Sequence, residues 1–224
     1  SPILWLAEWK FCRSLFFLQD QALNFFCVKR KTSGVTVEPI KKLGYKGVNF
    51  CRVSIDAAEV GEKDILGGPD KLVGGEQQWQ QILDIALLAV TSEAVGLAQG
   101  VFDYTLDYAR QRVQFGQAIG KFNVIRNMLA ELAYDIDAAR LLLYRAAWLA
   151  DQQQPFSREI AMAKCRAAET ARRAAMDGLQ IYGGYGYTME YDIQRYVRDA
   201  MSLTTAGASL ESLKARIGGA YGLS

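Results

Sequence analysis

The sequence predicts an α+β protein that is mainly α, in which a partial β-sheet segment leads into an antiparallel four-helix bundle. Three observations carry that expectation. β-Branched and aromatic residues separated by turn residues fill the chain up to about Gly75. From Gln77 onward apolar residues recur every three or four positions. The helical stretches are joined by short connections, which make antiparallel neighbours. Two domains follow, residues 1–75 as a partial β domain and residues 76–224 as a C-terminal helical bundle.

In the first part, "NFFCVKR", "SGVTVEPI" and "GVNFCRVSI" read as strands, the last two set off by turns at Ser33-Gly34 and Gly47. The first twenty residues, with Trp5, Trp9, Phe11, Phe16 and Phe17, fit a strand pair about as well as a short helix. So few strands cannot cover their own faces and edges, so this segment needs further parts to complete it. "GGPDKLVGGEQQW" reads as a loop, punctuated by four glycines and a proline. The first helix, Gln77 to Arg110, places Ile82, Ile85, Ala86, Ala89, Val90, Glu93, Leu97 and Gly100 on one face. A second runs from about Phe122 to Asp151 with Ile125, Met128, Leu129, Leu132, Ile136, Leu143 and Ala147 along one side. After Pro155 an alanine-rich third helix spans about Ser157 to Tyr182 and suits close helix–helix approach. A fourth starts near Glu190, and a fifth ends at Gly218-Gly219.

The bulk numbers narrow the function. The 224 residues carry 26 basic and 24 acidic side chains, a net charge of +2, with no basic block that would suit nucleic acid. Apolar runs such as "ILDIALLAV" contain an acid or stop short of the roughly 20 residues that span a bilayer, so no membrane span is expected. "SPILWLAEWK" lacks the basic leader of a signal peptide. Cys12, Cys27, Cys51 and Cys165 have neither CxxC pairing nor metal spacing and read as free thiols of a reducing compartment, the cytoplasm or a mitochondrial matrix. The chain has no histidine, which excludes Ser-His and Cys-His nucleophile schemes and histidine metal sites within it. Acid–base work then falls to Asp, Glu, Lys, Tyr or a cofactor.

Two stretches stand out chemically. In "QIYGGYGYTMEYDIQRYVRDA", Gly183, Gly184 and Gly186 let the chain turn and let a flat or anionic group approach the backbone. The same glycines equally suit a plain turn between helices with tyrosines packed on the core. In "ARQRVQFGQAIGKF", Arg110 and Arg112 lie at a helix C-terminus, where cations favour the dipole; Arg112 could equally clasp a phosphate with its guanidinium fork.

Taken together, "YARQRVQFGQAIGKF" and "LQIYGGYGYTMEYDIQRYVRDA" resemble the acyl-CoA dehydrogenase family, flavin enzymes that desaturate acyl-CoA thioesters. "AVGLAQGVFDYTLDYA" and "GVTVEPIKKLGYKGVNFCRVSIDAAEV" look like the same family in the same order, so the resemblance covers about Phe25 to Arg216. It implies the end of a middle β domain plus the whole C-terminal bundle, FAD as cofactor, and a dimer of dimers built from like or unlike subunits. Arg112, Gln114 and Phe115 match positions that meet the flavin nucleotide of a neighbouring subunit, and Gln180 and Gly184 match positions at its adenine-diphosphate end. Asp84 matches an aspartate near the CoA moiety, although the arginine usual three residues later is Leu87 here. The implied partners are an acyl-CoA substrate, other subunits and an electron-transfer flavoprotein.

The resemblance breaks at the proton acceptor. The family glutamate that takes the α-proton falls, nine residues beyond Arg198, on Gly207, and its alternative place on the first bundle helix falls on Ala86. Glu93, two turns along that helix from Ala86, is the candidate replacement, with Glu211 one turn past Gly207 as a weaker one. The β-domain motifs that cover the flavin ring have no counterpart among these residues. A non-catalytic subunit that clamps a partner's FAD, or a same-fold flavin oxidase or monooxygenase, are the alternatives this leaves.

Overall fold

Gly34 shows why the β segment needs a glycine at the turn after Ser33. Its φ is +82°, and a Cβ there would lie 2.0 Å from the carbonyl oxygen of Asp56, whose own N–H donates to the Gly34 carbonyl at 2.8 Å. That turn leads into β4 (Val35–Pro39), which pairs antiparallel with β5 (Phe50–Ile55), Val35 opposite Ile55. The computed structural model describes residues 6–7, 14–19, 22–68, 70 and 75–223. Among them β1 (Leu6–Ala7) flanks β5 on its other side, giving the strand order β1-β5-β4. β2 (Ser14–Gln19) and β3 (Ala22–Cys27) form a separate antiparallel hairpin. Phe26, Val28 and Ile65 make a small core with Val35, Val53, Ile55 and Val60 around it. The expected strands are present, each shorter than its sequence run. Trp5, Trp9 and Phe11 lie outside the described residues, as do 69 and 71–74 of the expected loop; Gly75 already begins a helix.

The chain divides into two units, Ser1–Ile82 and Leu83–Ser224. The second holds the bundle: most of α1 (Gly75–Gln111), then α2 (Asn123–Asp151), α3 (Ser157–Tyr182), α4 (Ile193–Ser202) and α5 (Leu210–Ala220). Two-residue strands β6 (Val113–Gln114) and β7 (Gln117–Ala118) form a small hairpin between α1 and α2, a feature too short for sequence periodicity to reveal. The buried stripe of α1 is Leu87, Thr91, Ala94, Val95, Ala98, Val101, Thr105 and Ala109 rather than the face expected through Ile82, Ile85 and Ala86. The helix is apolar on nearly every side, so hydropathy alone does not select the face. By length and composition α1 is also apolar enough to cross a membrane, a test that core helices of soluble proteins pass as well.

Helix α3 is the centre of the bundle. Ala161, Ala163, Ala167, Ala168, Ala171, Ala174 and Ala175 are fully buried in it. Alanine combines the highest helix propensity with the smallest apolar side chain, so these positions let neighbouring helices come close. The tightest approach is at Gly178, where a Cβ would lie 2.8 Å from Ile193 Cδ1 and 2.9 Å from both Thr105 Oγ1 and Val101 Cγ1. Buried polar ties link the helices. Asp84 on α1 accepts from Ser157 Oγ and, at 2.7 Å, from Arg216 Nη1, so α1, α3 and α5 meet on one carboxylate. Asp135 on α2 accepts from Arg166 and Arg173 of α3. Lys164, wholly buried on α3, donates its ammonium to the carbonyl of Leu203, the residue that ends α4. Burial pulls its pKa down to about 8, against the smaller upward pull of Cys165 and Glu93.

Two outcomes test this packing. Gly178→Ala places a methyl group into three contacts under 3 Å and is expected to destabilise by about 1–3 kcal/mol in urea unfolding. Gly100→Ala, whose nearest foreign atom is Tyr196 Oη at 3.4 Å, is expected to be far milder. For Lys164 the folded pKa lies below the ordinary 10.5, so the folded chain loses this proton before the unfolded chain does. Stability from this group therefore rises between about pH 8 and 10.5 and is lost as pH falls through the folded value. The melting temperature of the parent protein is expected to gain on that of Lys164→Met as pH rises from neutrality through this window; a difference flat in pH would refute it.

Candidate functional site

The candidate site lies where α1 ends and α3 turns. Arg112, just past α1, is fixed by its backbone on both sides: its N–H donates to Tyr108 O and its carbonyl accepts from Ile119 N, each at 2.8 Å. The β6–β7 hairpin then turns through Phe115 and Gly116, with φ of +51° and +79°. Paired positive φ values suit the right-handed twist of a two-residue hairpin, but the left-handed region is unfavourable for phenylalanine. The Phe115 side chain is 93% exposed, meeting Phe122 edge-on at 6.2 Å between centroids.

On the other wall, α3 ends at Gly183 with φ +60°, and Gly183–Tyr187 continues as a 3-10 turn. Each glycine has its own reason. Gly183 takes the left-handed backbone; Gly186 is packed so that a Cβ would lie 2.9 Å from both Leu179 O and Tyr182 Cβ. At Gly184 the added atom would meet nothing within 4 Å, so this stretch of backbone stands open.

Between the walls is a cleft of about 470 Å³, lined by Tyr108, Arg112, Gln114, Ile119, Ile181, Tyr182, Gly184, Tyr185 and Thr188. That volume falls within the roughly 300–1,000 Å³ of small-molecule sites. The lining has one guanidinium, no carboxylate, several aromatic faces and an open glycine backbone, which is the chemistry of a site for an anionic, aromatic ligand. Tyr108 and Tyr182 stack face to face at 3.9 Å and 15°, and the Tyr182 hydroxyl donates to the Tyr104 carbonyl at 3.2 Å. Burial raises the phenol pKa of Tyr108, with Arg112 opposing, and that of Tyr182, where the hydrogen bond to Tyr104 adds to it. Both stay neutral at physiological pH.

Of the residues singled out in the sequence, the structure brings Arg112, Gln114 and Gly184 to one cleft. Phe115 projects into solvent on the adjoining hairpin, and Gln180 is exposed on the last turn of α3, neither lining the cleft. Asp84 is only 4% exposed, with both carboxylate oxygens engaged by Ser157 and Arg216, so it acts inside this chain as a tie between helices. Glu93 is exposed on α1, close enough to Lys164 to favour its charged form. Gly207 has φ +78°, and a Cβ there would approach Leu87 Cδ2 to 3.1 Å; Ala86 is exposed. The tyrosines that furnish the cleft were visible in the sequence only as a cluster. Their partners, Tyr104 and Tyr108, lie on another helix far away in the chain. Among the described residues no group of three or more Cys, Asp or Glu could hold a metal ion.

These features define a helical bundle whose helix ends enclose a cleft suited to an anionic aromatic ligand. The family profile described as "Acyl-CoA dehydrogenase, C-terminal domain" matches residues 74–221, and the chain belongs to that family. It is similar to the probable acyl-CoA dehydrogenase YngJ of Bacillus subtilis (strain 168), 40% identical over 179 residues, 80% of this chain and 46% of that protein. It is also similar to the caffeyl-CoA reductase-Etf complex subunit CarC of Acetobacterium woodii, 34% identical over 185 residues, 82% of this chain and 48% of that one. The crystal structure of the prolyl acyl carrier protein oxidase AnaB superposes with a TM-score of 0.89 at 26% identity, covering 94% of this chain and 56% of that chain. The chain thus spans about half the length of the relatives it matches. Acyl-CoA dehydrogenase relatives are FAD-dependent oxidoreductases, and the expected fold class stands.

Phe115 gives this site a measurable signature. Phe115→Asn, which tolerates the left-handed backbone, is expected to raise the stability of the chain by about 0.5–1 kcal/mol in urea unfolding. A loss of stability would show that the ring is held by its own chain after all.

Proposed function

We propose that this chain contributes the adenine-diphosphate end of an FAD site to an acyl-CoA dehydrogenase, assembled with further copies or unlike subunits. The observation that carries this reading is the cleft that unites Arg112, Gln114 and Gly184. The residues present fit the group. Arg112 offers a fixed guanidinium for a diphosphate, Gln114 a side-chain amide, and Gly184 a backbone that a flat nucleotide can approach without meeting a side chain. Phe115, exposed on its hairpin, is placed to reach beyond this chain toward the same nucleotide in an assembly.

FAD, once bound, supplies the hydride acceptor for α,β-desaturation of an acyl-CoA thioester. The chain's own part is to hold the nucleotide, keep the neutral tyrosine face against it, and provide or omit the base for the α-proton. Glu93 is the candidate base of this chain and Glu211 the weaker one. Electron-transfer flavoprotein is the acceptor this reading favours, supported by the likeness to a subunit of an Etf-containing complex.

A second reading has its own observation. Gly207 and Ala86, the two places where the resemblance puts the proton acceptor, carry no carboxylate, and Gly207 packs against Leu87. This favours a subunit that clamps FAD while an unlike partner performs the proton abstraction. The two readings separate in one set of measurements on the purified assembly. Arg112→Ala is expected to weaken FAD binding by tenfold or more, and unchanged binding would refute the nucleotide assignment. If Glu93 is the base, Glu93→Gln slows anaerobic bleaching of the flavin by acyl-CoA by about 10²–10⁴-fold. Unchanged bleaching in both Glu93→Gln and Glu211→Gln assigns the proton step to another chain.

A further inference from the structure

We propose that Tyr185, braced by Tyr191, is a positioning residue that holds the Arg112 guanidinium in the cleft in the orientation a diphosphate requires. The inference rests on the nucleotide reading above and adds to it the element that aims the arginine.

Arg112 has a fixed backbone but a long side chain, and a guanidinium that wanders is a poor anion clasp, because ordering it on binding subtracts from affinity. In this chain the guanidinium lies over the face of Tyr185, 4.8 Å from the ring centroid. At that distance the ring quadrupole attracts the cation, and a planar guanidinium can rest on the ring with its N–H edges still directed outward to donate to an anion. Tyr185 itself comes from the glycine-rich turn and is 43% exposed, so its own turn does not enclose the ring. Tyr191 supplies the support: its ring meets Tyr185 edge-on at 5.6 Å and 64°. Tyr191 is anchored in turn against Tyr182 at 5.4 Å and 63°. The edge-to-face geometry fixes each ring relative to the next. Tyr182 belongs to the buried end of α3, so the chain of contacts runs from the bundle core to the guanidinium. Gly183, with its φ of +60°, ends α3 two residues before Tyr185 and turns the chain into the segment that brings the ring beneath Arg112.

The test is a double-mutant cycle on the whole assembled protein, with FAD and ADP as the probes and their dissociation constants as the readout. Tyr185→Leu is expected to weaken both by roughly threefold to tenfold, and Tyr185→Phe, which keeps the ring, to stay within about twofold of the parent. In the Arg112→Ala background, Tyr185→Leu is expected to add no further loss. Equal losses for the Leu and Phe variants would overturn the proposal, since the hydroxyl rather than the ring would then matter. So would additive losses in the double variant, which would mean that Tyr185 meets the nucleotide directly. Full affinity in Tyr185→Leu while Arg112→Ala binds weakly would refute the positioning role and leave the nucleotide site standing. Full affinity in Arg112→Ala would remove the site itself. Melting temperatures of the Tyr185 variants close to the parent's show that the affinity changes do not come from unfolding.

Discussion

The bundle depends on how closely other helices can approach α3. Alanine and glycine make up eight of the fifteen buried residues of α3, and along that stripe the neighbouring helices can pack close to its backbone cylinder. At Gly178 that approach reaches its limit, with Ile193 of α4 and Thr105 and Val101 of α1 converging on one Cα. Once these distances are set, the ends of the three helices are placed to within the tolerance of the packing. The cleft is built from those ends: Tyr108 and Arg112 from the end of α1, Tyr182 through Tyr185 from the end of α3. Site geometry here is a by-product of core packing, with the glycine turn and the hairpin as local adjustments.

Charges are handled according to how buried they are. Asp84 and Asp135 are buried carboxylates that each accept from two donors, so their desolvation is offset by charge-assisted hydrogen bonds. Lys164 has a backbone carbonyl as its acceptor and a depressed pKa, a sign that its compensation is thinner. Glu93 eases that burden from the helix opposite. This gives the residue a structural occupation next to any chemical one, and explains its presence without requiring that it touch a substrate. Surface pairs such as Arg195 with Asp192 contribute little by comparison.

Much of this was legible in the sequence, and the reasons for the remainder are physical. The helices and the three described strands after residue 20 were readable because periodicity of 3.6 or 2 persists over many residues. The end of α3 at Tyr182 is marked by the glycine that follows it. The face of α1 was misjudged because a helix apolar on all sides has no preferred direction until neighbours are known. The β6–β7 hairpin is invisible in the sequence because two residues per strand carry no period. Arg112, Gln114 and Gly184, which line one cleft, are picked out in the sequence by the family's motifs and not by physics alone. The stacking of Tyr108 on Tyr182, and of Arg112 on Tyr185, joins residues about seventy positions apart in the chain, a distance across which sequence spacing says nothing. Asp84 was placed by resemblance near a substrate and is found engaged inside the bundle.

Gly207 limits what its own position can hold. A carboxylate there would need a backbone able to carry a side chain and room for it to grow. The polypeptide stands in the way: its backbone at φ +78° disfavours any L side chain, and Leu87 crowds the direction in which one would grow. Seating a glutamate at that position would require the loop to re-form and Leu87 on the facing helix to give way. The packing around residue 207 therefore favours an acidic group at almost any other place over one there.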